Sequence, residues 1–442
     1  MNIFKFGGAS VNSADAVRNM SRIVASHRSK PLLIVVSAMG KTTNALERLV
    51  PGTGGNKSEH DATLNQLQEY HFGIIDGLYA PQGDKDHIAH EAVRQEALRA
   101  VHRKVETYFE LLRMRLDVAP TTYNFDYDQI VSFGELISTT IVSEYLNYIG
   151  IANRWVDVRE IIRTDANYRE GIVDWDATRF NARRSLMPLL QSAPDAEQHP
   201  VVVTQGFIAG TTAHTTTTLG REGSDYSAAI LSHCLGAETM TIWKDVPGFL
   251  NADPKFFDNT IKIEQMPYNE AIEQAYYGAS VIHPKTVKPL QNRDIKLNIK
   301  SFVNPEEEGS VIGPFESIVP QCPLYIVKSN QVLLSIMPKD FSFIAEDNIQ
   351  TIFAALAALN IRVNLMQNSA LSFSLCIDNN EVLLQQLQEM LSKNFLLRYN
   401  EKLKLITIRY YTQDIIDQIV GNRTILVQQR SRTTTQLVVD DK

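Results

Sequence analysis

Short apolar runs and helical stripes alternate along roughly the first three hundred residues. Runs rich in Val, Ile and aromatic residues, closed by Gly, Pro or Asn, read as strands at Asn2–Phe6, Pro31–Ser37, Ile151–Val158, Pro200–Thr204, Thr239–Lys244 and Ile295–Lys300. Helical patterns separate them, which predicts an α/β domain built on a largely parallel sheet. Between Thr53 and Asp117 the period changes. Ala97, Val101, Val105, Tyr108 and Leu112 recur at helical spacing among charged residues, so this stretch is expected to be an inserted helical pair with its apolar stripe in the core.

Near 304–324 turn-forming and charged residues gather, with Asn304-Pro-Glu-Glu-Glu-Gly, Gly313-Pro314 and Pro320, and we expect a linker there after a catalytic domain at 1–303. Beyond it the pattern runs strand (Val332–Met337), helix (Ile349–Leu359), strand (Val363–Gln367), strand (Ser372–Ile377), helix (Val382–Leu391) and strand (Lys402–Tyr410). This is a ferredoxin-like βαββαβ order over 325–411. A shorter β-rich piece at Thr424–Gln429 and Thr433–Val439 makes 412–442 a reduced second module.

Composition narrows the function. A chain of 442 residues, 44% hydrophobic and 21% charged, holds a large core and two or three domains. Its net charge of −7, with no like-charge run, gives no field for nucleic acid or anionic lipid, and neither partner is expected. Three scattered cysteines, Cys234, Cys322 and Cys376, have no zinc or disulfide spacing and suit a reducing cytoplasm. Met1–Phe6 runs straight into a strand pattern without a basic leader, and no stretch of about 18 apolar residues predicts a membrane span.

Five clusters carry chemistry. Lys5-Phe6-Gly7-Gly8-Ala9-Ser10 turns from a strand toward a helix through two glycines, a geometry that brings backbone N–H groups and a lysine to phosphate oxygens, although glycine is also the default turn residue. Ser37 to Asn44 ends like a nucleotide P-loop in Gly40-Lys41-Thr42, but Val35 stands where that motif needs its first glycine, so we reject that reading. Ser132-Phe133-Gly134-Glu135 opens a helix with a carboxylate that suits an ammonium group or merely the helix dipole. Leu219-Gly220-Arg221-Glu222-Gly223-Ser224-Asp225 sets a carboxylate-gripping arginine four residues before an aspartate, where Ser224 or Asp225 alternatively caps the next helix. Trp243-Lys244-Asp245-Val246-Pro247-Gly248 joins a strand end to a turn, as at a nucleotide pocket.

Taken in order, these motifs resemble the aspartokinase branch of the amino-acid kinase family over nearly the whole chain. The family's Lys-Phe-Gly-Gly-Thr-Ser is matched at Lys5–Ser10, its Ser-Ala-Met-Gly-Lys-Thr-Thr-Asn at Ser37–Asn44 and its Thr-Thr-Leu-Gly-Arg-Gly-Gly-Ser-Asp at Thr217–Asp225. Its Phe-Gly-Ala-Lys-Val-Leu-His-Pro corresponds to Tyr277–Pro284. The resemblance implies a three-layer amino-acid kinase sandwich with C-terminal ACT modules, and MgATP-dependent phosphorylation of L-aspartate. It places Thr43, Glu135, Arg221 and Asp225 at the aspartate, and Lys5, Gly7, Gly8 and Ser37 around the transferring phosphoryl group. Lys244, Asp245, Leu250, Lys255 and Ser280 fall at nucleotide-contacting positions, with Lys5, Gly8 and Asp225 as the catalytic set and no resident metal site. A homodimer and a lysine or threonine effector at the ACT region are implied as well. Ala9, Glu222 and Ser280 depart from the pattern: Ser280 replaces a lysine, and we expect Lys244 to supply the missing cation. The alternatives are a kinase of the same fold for another carboxylate, such as glutamate, and a sensor of that fold with weakened turnover.

Overall fold

The six apolar runs expected as strands form the parallel body of one eight-stranded sheet. A computed structural model of the chain describes residues 1–81, 88–191, 198–279, 281–340 and 342–440. Across the sheet the strands are ordered Gln265–Pro267, Ser310–Gly313, Lys296–Ser301, Thr239–Lys244, Asn2–Phe6, Leu32–Val36, Val201–Gln205 and Asn153–Val156. Asn2–Phe6 is central, with Lys5 in register with Val35 on one side and Ile242 on the other. Leu32–Val36 and Val201–Gln205 are buried throughout, as expected of parallel strands covered on both faces. Only Gln265–Pro267 and Ser310–Gly313 run against the other six.

The helical insertion forms as expected, as Lys57–Leu78 and Ile88–Leu116. Asn56 starts the first helix with a capping box: its Oδ1 accepts the Glu59 N–H (3.0 Å), and its own N–H donates to Glu59 Oε2 (3.2 Å). Val101, Val105, Phe109 and Leu112 are buried in the same core cluster as Phe4 and Val36, so the predicted stripe does face inward.

The chain divides into two units, Met1–Phe249 with Glu264–Ile272 and Ile282–Ile318, and Leu250–Ile263 with Glu273–Val281 and Val319–Lys442. The segment expected as a linker therefore contributes a strand, Ser310–Gly313, to the sheet of the first unit, between Gln265–Pro267 and Lys296–Ser301. Two pieces inside 1–303 belong to the second unit instead.

In the second unit a six-stranded antiparallel sheet is ordered Val363–Asn368, Phe373–Asp378, Leu324–Pro338, Phe395–Arg409, Thr434–Asp440 and Ile425–Arg430. The two central strands are 15 residues long, each running through both modules. Residues 331–336 pair with 373–378, whereas 324–328 pair with 405–409, which in turn lie beside 434–438. The second module is thus discontinuous: its strands come from 324–328, 403–409, 425–430 and 434–440, with the first module inserted between the first two. It also has a helix the sequence reading lacked, Gln413–Val420, capped by Thr412.

Candidate active site

Two glycine-bearing turns meet at the carboxyl ends of the parallel strands. The Ser37 N–H donates to Phe6 O (3.1 Å) and the Gly40 N–H to Gly8 O (3.0 Å), which locks the turn after Asn2–Phe6 against the turn after Leu32–Val36. A Cβ at Gly8 would lie 2.8 Å from Ala38 O and 2.9 Å from Gly40 O, so only glycine fits between these backbones. Ser10 reaches across to Trp243 O (3.4 Å), tying the first turn to the strand that ends in Lys244.

Helix Gly223–Leu235 brings Asp225 to these strand ends, in its first turn and with no exposed surface. Its two carboxylate oxygens hold two cations: Lys5 Nζ lies 2.6 Å from Oδ1, and Lys244 Nζ 3.5 Å from Oδ2. Burial opposes ionisation of Asp225, but the Lys5 and Lys244 ammonium groups outweigh it and hold the carboxyl below its ordinary range. The helix approaches this closely because residue 206 is glycine, where a Cβ would sit 2.5 Å from Ser224 Cβ. Asp225 is therefore an ion-pair centre and not merely a helix cap.

Glu135 comes from helix Phe133–Tyr148 and is 2% exposed. One oxygen, Oε1, accepts the Ala38 N–H (3.2 Å), while Oε2 has no hydrogen-bond partner. Burial pushes the carboxyl up to about 8, against the pull of the Ala38 N–H and the Lys5 charge. From the same helix Ser138 donates to Ser37 O (2.7 Å), so the loop carrying Ser37 is gripped from both sides.

The remaining expected residues divide. Thr43 is half-buried as the second residue of helix Thr42–Glu47. Arg221 is exposed in the turn that leads into the Asp225 helix, so it shares that helix end with the Lys5–Asp225 pair. Asp245 is exposed just beyond Lys244. Leu250 and Lys255 belong to the second unit, where the Asp253 carboxylate accepts the Lys255 N–H (2.9 Å). Ser280 lies outside the described residues. Glu222, one of the departures, sits at φ 55°, the left-handed region that glycine adopts freely.

Asp128 escaped the sequence reading. Its Oδ2 accepts the N–H groups of Thr218 (2.9 Å) and Arg169 (2.8 Å), and its Oδ1 accepts the Thr218 hydroxyl (2.8 Å), so it anchors the threonine strand preceding Arg221. An aspartate within helix Tyr123–Val131 gives no pattern from which this could be read. Behind Thr43, Thr42 Oγ1 lies 3.3 Å from buried His71 Nε2, and burial lowers that imidazole to about 4, leaving it neutral.

Two ammonium groups on one buried carboxylate, beside glycine turns and a second buried carboxylate with a spare oxygen, suit charge neutralisation of a phosphoryl group near a substrate ammonium. Among the described residues no group of three or more His, Cys, Asp or Glu side chains could hold a metal ion, and no helix is long and apolar enough to cross a membrane.

The sequence profile of the amino acid kinase family matches residues 1–301. The chain is 32% identical to the lysine-sensitive aspartokinase 3 of Escherichia coli over 380 residues, 85% of this chain and 78% of that one. It is also similar in structure to E. coli aspartokinase III in complex with lysine and aspartate (T-state), with a TM-score of 0.77 and 27% identity, covering 100% of this chain and 96% of that one. The same enzyme in complex with aspartate and ADP (R-state) matches equally, with a TM-score of 0.77 and 27% identity over the same shares of each chain.

Proposed function

The chain belongs to the amino acid kinase family and, within it, to the aspartokinases, and on that premise we infer that it transfers the γ-phosphoryl group of ATP to the β-carboxylate of L-aspartate. The product is 4-phospho-L-aspartate, the first intermediate of amino-acid biosynthesis from aspartate. The observation that carries this reading is Asp225 holding Lys5 and Lys244 at the strand ends.

The nucleophile needs no general base, because a β-carboxylate is already ionised near neutral pH. Catalysis then rests on positioning and charge neutralisation. Arg221 grips a substrate carboxylate, Glu135 Oε2 takes the ammonium group and Thr43 lines the same pocket. Around the phosphoryl group stand Gly7, Gly8, Ser37 and Lys5, with Lys244 as the second cation in place of the lysine absent at Ser280. Asp225 offsets the repulsion between the two ammonium groups and fixes both. Asp245 contributes to the nucleotide side.

Both Asp225 oxygens are already paired with cations, so Mg²⁺ would enter with ATP and not as a resident ion of this carboxylate. When bound, it supplies further neutralisation of phosphate charge.

For the second unit we propose an amino-acid effector. The two candidates are lysine and threonine, and the fold of the two C-terminal modules does not favour either.

Trapping the acyl phosphate with hydroxylamine, in ATP and Mg²⁺ with either aspartate or glutamate, tests the activity. Hydroxamate should form with aspartate alone, and equal formation with glutamate would sink the substrate assignment. The same assay with added threonine, then lysine, reads the effector; no change of rate with either would contradict the effector proposal.

A further inference from the structure

A second cavity lies against the loop that carries Thr43. Its volume is about 380 Å³, within the range of small-molecule sites. Lys41, Thr42 and Arg48 form one side, and Thr63, Gln66 and Tyr70 of the inserted helix Lys57–Leu78 form the other. None of Lys5, Ser37, Thr43, Glu135, Arg221, Asp225 or Lys244 lines it. The cavity is thus separate in its walls from the active site, although it shares the Ser37–Asn44 loop.

Its walls are built, not incidental. Tyr70 donates its hydroxyl to Asn12 O (2.8 Å), bridging the insertion to the turn that follows Gly8. Gly40 stands at φ +55°, and a Cβ there would meet Tyr70 Oη at 2.7 Å, so the loop is fitted against that ring. Thr42 turns its hydroxyl inward, to Met39 O (2.6 Å) and toward His71.

The charge of the lining is one-sided. Lys41 and Arg48 both border the cavity, both are exposed, and no ion pair neutralises either among the described residues. No acidic residue lines it, and the Gln66 side-chain amide offers a neutral donor, whereas the Thr63 hydroxyl already donates to Glu59 O (2.9 Å) and that of Tyr70 to Asn12 O. A cavity with two positive charges, no carboxylate and a neutral amide facing them is matched by a small ligand carrying two anionic groups. We propose that it is a second binding site, distinct from the aspartate site, for a small dianionic metabolite bearing carboxylate or phosphate groups.

Calorimetric titration of the full chain tests this, with the active site disabled by Lys5→Ala and Arg221→Ala together. Succinate is the carboxylate probe and inorganic pyrophosphate the phosphate probe, so the two arms distinguish the sources. At least one should bind, with Arg48→Ala weakening it by about tenfold, the scale of one charge-assisted hydrogen bond. Thr63→Trp, which fills the cavity without altering charge, should abolish binding. Failure of both probes to bind, or binding that neither Arg48→Ala nor Thr63→Trp weakens, would overturn the proposal. The readout is binding and not turnover, so its failure is distinguishable from failure of the kinase reading.

Discussion

The polar cluster at the mouth of the parallel sheet is incomplete where the one on the C-terminal sheet is closed. In the second unit Gln331, 1% exposed, donates to Asp378 Oδ1 (2.8 Å) and accepts from Asn364 Nδ2 (2.8 Å), while Asn364 Oδ1 accepts from Lys328. In the first unit Glu135 is buried to the same degree, yet Oε2 has no partner and burial keeps its carboxyl protonated at neutral pH. Leaving such an atom unsatisfied costs about 1–3 kcal/mol, a cost a fold retains where a ligand completes the set. The closed cluster is complete within the fold, and the open one leaves an acceptor oxygen for a ligand.

The largest effect expected on the open side is on turnover. Lys5→Ala should lower kcat by roughly 10²–10³-fold, the scale of one lost transition-state donor, and Lys244→Met should also lower it, by a smaller factor. Steady-state kinetics would show this, and a Lys244→Met enzyme with unchanged kcat and ATP affinity would remove Lys244 from the phosphoryl site.

The next prediction concerns pH. Because Glu135 is raised to about 8, the free site is protonated below that pH and must release the proton to pair with the substrate ammonium. The KM for aspartate should therefore fall as pH rises, by up to about tenfold per unit, and level off near 8. In Glu135→Gln the KM should be higher and this dependence flat.

On the closed side, Gln331→Ala should cost about 1–3 kcal/mol of stability in a denaturant titration. Its kcat, measured on the folded protein, should stay at the wild-type value. A large change in turnover with no loss of stability would erase the contrast between the clusters.

The smallest effect is expected at Glu222. A non-glycine residue in the left-handed region costs about 1–2 kcal/mol, and glycine's greater freedom in the unfolded chain returns part of that. Glu222→Gly should then stabilise by about 1 kcal/mol, read as a shift in denaturation midpoint.

The sequence made the six parallel strands readable because each is a dense apolar run, and the insertion readable because Val101, Val105 and Leu112 keep a helical period. Gln265–Pro267 and Ser310–Gly313 were hidden: three- and four-residue strands containing Pro or Gly look like turns. The halves of Leu324–Pro338 and Phe395–Arg409 around Lys328-Ser329-Asn330 and Asn400-Glu401-Lys402 are broken by polar residues and register shifts, so only parts of them read as strands. In the first unit, Lys5, Glu135 and Asp225 were legible as motif residues. Their convergence was not, because it depends on Gly8 and Gly206 letting backbones from distant segments touch. Asp128 had no local signature, since its partners lie 41 and 90 residues away.

The interleaved strands of the C-terminal sheet also bear on how the protein is made. Residues 324–328 leave the ribosome early, but the stretch they pair with, 405–409, follows only after the whole inserted module has been translated. Until then that first segment is an unpaired edge, exposed to wrong partners. A chain that has emerged only as far as Tyr410 would hold one finished module and half of another, so the strands Ile425–Arg430 and Thr434–Asp440 act as the clasp that closes the second module.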